Sequence, residues 1–92
     1  MSSFEPPREL LEPTRSDALR CSRARSVLVH LRIGSTDSAW RPPAWHGAAI
    51  RLACVLLDGG EESEVRNAWT ALITGGATYW YLSRVLASLE EV

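Results

Sequence analysis

Cys21, His30, His46 and Cys54 are the residue types from which a zinc site or a Cys–His nucleophilic pair is built. Zinc modules carry their ligands in short pairs a few residues apart, because one turn must present two donors to a single ion. Here the nearest two, His46 and Cys54, stand eight positions apart. The spacing therefore predicts no metal, no cofactor and no thiol catalysis. All ten cationic side chains are arginine, which excludes Schiff-base chemistry and the phosphate-loop lysine. Asp58-Gly-Gly-Glu-Glu-Ser-Glu64 has the acids of a calcium loop but not their alternation or the glycine at the sixth place, and it reads better as a helix start. Gly59-Gly60 and Gly75-Gly76 read as helix stops.

Binding chemistry is better represented. Arg20, Arg23 and Arg25 fall within six residues, and Arg32 follows on the same expected surface. Residues 1–44 hold seven arginines against five acids, and residues 45–92 three against six, in a chain of net charge −1. A basic helix face of this kind fits an acidic patch on a partner protein. The competing reading is a solvated face paired internally with Glu61, Glu62 and Glu64. Nucleic acid is the less favoured partner, because a groove-reading fold carries a more basic balance. In a helix-turn-helix built on the Gly59-Gly60 turn, the reading helix would also begin with three acids.

Four tryptophans mark further candidates. Trp69 lies on an apolar stripe and reads as core. Trp40 and Trp45 flank Arg41-Pro-Pro-Ala44, either clamping the prolines or, for Trp40 with Arg41, standing exposed as the residue types that dominate binding hot spots. Tyr79, Trp80 and Tyr81 are consecutive and cannot all face inward on one helix, so at least one is exposed.

Helices must position these groups. The first is expected over Ser16–Ile33, entered through a Thr14/Asp17 capping box, with Cys21, Ala24, Leu28 and Leu31 inward beside Val27 and Leu19 and with Gly34 as its stop. The second, Ala44–Leu57, opens at Pro43 and is apolar nearly all round, which predicts the central, most buried helix. The third runs from the acids at 61–64 to Thr74, burying Val65, Ala68, Trp69, Leu72 and Ile73. The fourth is capped by Thr78 and reaches Glu90, with Leu82, Val85, Leu86 and Leu89 inward. Short connections imply antiparallel neighbours, so the fold expected is all-α, a compact four-helix bundle-like single domain over 14–92. Residues 1–13 are read as a flexible N-terminal tail that is mobile or docks as an arm.

The N-terminus has acids and prolines where a signal peptide has a basic start and an apolar run, and the longest apolar stretch, Leu52 to Leu57, is far short of a membrane span. A reduced, cytoplasmic protein is expected, with arginine-only cations pointing to a GC-rich bacterial or phage genome. The function expected is a non-enzymatic inhibitor, adaptor, immunity or antitoxin-like factor that occludes the surface of another protein. Anti-CRISPR proteins share the size, a parallel with no motif behind it. The alternatives are a helical nucleic-acid-binding regulator and a homodimer completed by the apolar second helix.

Overall fold

The computed structural model describes residues 5–12, 14–31 and 43–90. They form five helices and no strand: α1 (Arg8–Leu11), α2 (Asp17–Leu28), α3 (Ala44–Leu57), α4 (Glu62–Thr74) and α5 (Tyr79–Glu90). No helix among them is long and apolar enough to cross a membrane.

The central helix is α3, packed on α2 along one side and on α4 along the other. Pro43 precedes it, with the chain already at the φ a helix needs. The turn into α4 takes Gly59 and Gly60 through φ of 111° and 60°, a region closed to most side chains. At the far end of this antiparallel hairpin, a Cβ on Gly75 would lie 3.3 Å from the Trp45 Cβ and 3.0 Å from the Ala71 carbonyl. The absence of a side chain there lets α4 end against the start of α3. Beyond it, Gly76 at φ 93° closes α4: its N–H reaches the Ile73 carbonyl, and the Ala77 N–H reaches that of Leu72. Thr78 then caps α5, its Oγ1 accepting from the Tyr81 N–H at 3.2 Å. α5 packs on α2, and the one-turn α1 packs on α4. Val27, Ala49, Leu52, Leu56, Val65, Leu72, Tyr81 and Val85 make the fully covered centre.

Several expectations are corrected. α2 ends at Leu28, because the Val27 carbonyl takes the Tyr81 hydroxyl and the Leu31 N–H turns to the Leu28 carbonyl. The stop assigned to Gly34 lies outside the described residues. Ser16 rather than Thr14 is the N-cap, accepting from the Leu19 N–H at 3.2 Å, while Thr14 accepts from the Ser16 N–H and Asp17 turns toward Arg20. Cys21 is exposed, and the buried face of α2 is instead Arg23, Ala24, Ser26 and Val27. The buried line of α5 is Tyr81, Leu82, Val85 and Leu89, with Leu86 at the surface. α3 is central as expected but not covered all round: Ile50, Cys54 and Leu57 face outward.

Candidate binding surface

The arginine run does not form one basic face. Arg20 donates from Nε and Nη2 to the Thr14 carbonyl at 3.2 and 3.1 Å, and its Nη1 lies 3.5 Å from Asp17. Arg23 is buried, with Nη1 2.6 Å from the Glu12 carbonyl. Both therefore face the chain that arrives from α1, which Leu10, fully buried, pins from below. An arginine stem covers apolar surface while its guanidinium satisfies carbonyls, so a basic residue can occupy an inward position. Neither arginine pairs with Glu61, Glu62 or Glu64 among the described residues, and Glu62 faces Arg66 within its own helix at 3.4 Å. Arg25 alone of the three is exposed. Arg32, Trp40 and Arg41 lie outside the described residues.

The aromatic run divides as helical geometry requires. Tyr81 turns inward, where its hydroxyl donates to the Val27 carbonyl and its ring centroid lies 4.8 Å from that of Trp45. Burial raises its pKa well above the usual phenol range. Tyr79 and Trp80 turn outward, 84% and 58% exposed, with Val29 next among the large hydrophobic side chains described. Arg84, one turn along, lays its guanidinium 5.5 Å from the Trp80 ring centroid, a cation–π arrangement. The sequence reading missed Arg84, although the four-residue spacing from Trp80 was there to be seen. These three side chains stand on a helix whose other face is locked into the core by Tyr81, Leu82 and Val85.

The histidines are separated. His30 Nε2 and Ser88 Oγ lie 2.8 Å apart, tying the turn after α2 to α5. This is the contact of a base with a hydroxyl nucleophile. No carboxylate or second partner holds His30 among the described residues, and the contact reads as a clasp between elements. His46 is buried at the start of α3 and meets the Trp45 ring edge-on, centroids 4.3 Å apart. Burial lowers its pKa below 6.5. No group of three metal-ligating side chains gathers among the described residues.

Burial of His46 couples folding to its protonation. An unfolded chain binds the proton near pH 6.5 and the folded chain only below that, so stability present above pH 6.5 is lost as pH falls toward the folded value. Chemical denaturation at pH 7.5 and 5.5 should show the wild type weaker at the lower pH and His46→Gln less sensitive between them. Equal sensitivity in the two proteins would remove His46 as a source.

Open pockets lie among the described residues. One of about 330 Å³ between α3 and α4 is lined by Arg51, Val55, Asp58, Glu64, Asn67, Ala68 and Ala71. One of about 570 Å³ separates α1 from α4, and one of about 190 Å³ lies beside Arg23 and Leu89. None brings a base, a nucleophile and an oxyanion donor together. No family model, curated protein or solved structure matches this chain.

Proposed function

We propose that this chain is a protein-binding factor that works by covering part of a partner's surface, with Tyr79, Trp80 and Arg84 of α5 as its anchor. The observation that carries the reading is the Trp80–Arg84 stack exposed on a rigid helix. Trp, Tyr and Arg are the residue types that supply most binding energy when desolvated in an interface. A helix already ordered by its buried face loses little entropy on docking. Arg84 and the exposed Arg25 favour a partner with acidic groups near the contact. The inward commitment of Arg20 and Arg23 weakens the phosphate-binding alternative, which relied on them. The two exposed free thiols suit a reducing compartment.

Charge reversal at Arg20 or Arg23 would disturb the fold, so the test belongs on α5. Affinity capture from the native host should yield a partner that is lost with Trp80→Ala, each loss of a hot-spot side chain weakening binding by about 2 kcal/mol or more. Thermal stability should be unchanged, because the ring is exposed. A partner retained by the doubly substituted Tyr79→Ala, Trp80→Ala protein would exclude this surface. Binding to random single-stranded DNA that weakens steeply with salt would instead favour base stacking on Trp80.

A further inference from the structure

Among the described residues, no other helix covers the outward face of α3. α2 and α4 flank α3, while α5 lies on α2 and α1 on α4. Exposed along α3 beyond its first residue, Ala44, are Gly47, Ile50, Arg51, Cys54 and Leu57, with Asp58 at its C-cap. Ile50 and Leu57 are 49% and 45% exposed, and no side-chain hydrogen bond or ion pair engages Arg51 among the described residues. Asp58 places an acid at a helix C-terminus, where the macrodipole disfavours it.

The order of these residues is self-complementary. At 100° per residue, Ile50 and Leu57 fall on one side of Cys54, and Arg51 and Asp58 on the other. A two-fold axis through the middle of the face, relating two antiparallel copies of α3, keeps each side on its own side and reverses its order. Cys54 then meets Cys54 of the second copy, Ile50 meets Leu57, and Arg51 meets Asp58. The three pairings share one centre at residue 54, within half a residue. An isologous interface requires this property, that residue i meet j while j meets i.

We infer that α3 is the interface of a homodimer, packed antiparallel about Cys54 with two reciprocal Arg51–Asp58 ion pairs. The occupant is a second copy because the charge pattern complements itself: the cation on one copy falls opposite the anion of the other, twice. The interface uses residues apart from the α5 anchor, so the dimer and the binding reading stand or fall separately.

Sedimentation velocity from about 1 to about 500 μM should show the wild type dimerising, and Ile50→Glu, at an exposed position, should leave a folded monomer whose melting temperature matches that of dilute wild type and, unlike the wild type's, does not rise with concentration. Arg51→Asp and Asp58→Arg should each raise the dissociation constant about tenfold or more by setting like charges together. The double swap should bring it back to within about threefold of wild type, because the pair re-forms with its signs exchanged. In a Cys21→Ser background, diamide should convert two Cys54 thiols to one intermolecular disulfide, itself taking up the two electrons and two protons. That crosslink should form faster than the one through Cys21 in a Cys54→Ser protein. A wild type that stays monomeric at the highest concentration would overturn the inference. So would a double swap as weak as the single ones, or a Cys54 crosslink no faster than that of Cys21.

Discussion

Tyr81→Ala will come close to unfolding this protein, and Tyr81→Phe will cost it a smaller, separable amount. Tyr81 is 1% exposed and spans the junction where α2 ends, α3 begins and α5 starts, against Val27 on one side and Trp45 on the other. Truncating a buried aromatic ring to a methyl group costs about 3–5 kcal/mol through lost burial and the cavity left behind. A domain of this size has only ~5–10 kcal/mol in total. The phenylalanine variant keeps the ring and removes the hydroxyl. The Val27 carbonyl belongs to the last turn of α2, where no helical N–H remains to serve it, so it loses its donor while still buried. An unsatisfied buried acceptor costs about 1–3 kcal/mol. Each kcal/mol moves the melting midpoint of a domain this small by roughly 4–8 °C, so calorimetry resolves the two steps. A Phe variant as stable as wild type would show that the carbonyl finds water or another donor, and that α2 does not depend on α5 for its end.

Arg23→Met will release the N-terminal arm. Methionine keeps the apolar stem at the buried position but removes the guanidinium that donates to the Glu12 carbonyl at 2.6 Å. A hydrogen bond from a charged donor is worth about 1.5–3 kcal/mol. The loss should be concentrated in residues 5–12, because α1 is too short to be helical without support. Two readouts apply: a lower denaturation midpoint, and faster amide exchange in 8–12 with faster tryptic cleavage after Arg8. Leu10→Ala should give the same pattern of exchange, since it removes the other point of attachment. If Arg23→Met lowered stability without loosening 8–12, the arm would be held by Leu10 alone. Both variants leave Tyr79 and Trp80 in place, so partner capture by either tests whether the arm takes part in binding.

How much was readable in the sequence differs by element, for physical reasons. α3 and α4 were legible almost to the residue: a proline opens one, acids open the other, glycines close α4, and the α4 stripe at 65, 68, 69 and 72 is buried as its spacing required. The partition of Tyr79, Trp80 and Tyr81 was legible as a necessity, because three consecutive helical residues point in three directions. Its outcome was not, since nothing local distinguishes the tyrosine that finds the Val27 carbonyl from the one that finds water.

The sequence by itself determined the class of fold, the four long helices, their order and the stops of α3 and α4. Those follow from φ preferences, capping and period, which act within a few residues. Only the tertiary structure decided which way α2 faces and what its arginines do. Cys21 and Arg23 are two residues apart, and apolarity favours the cysteine for the core. The incoming chain from α1 brings the Glu12 carbonyl to Arg23 and the Thr14 carbonyl to Arg20, and those partners outside the helix reverse the local preference. Likewise, composition made α3 a helix to be buried on every side. The number of helices available to cover it left one stripe, with Ile50, Cys54 and Leu57, facing out. Local rules choose the elements; the count and placement of neighbours choose which surfaces are left for a partner.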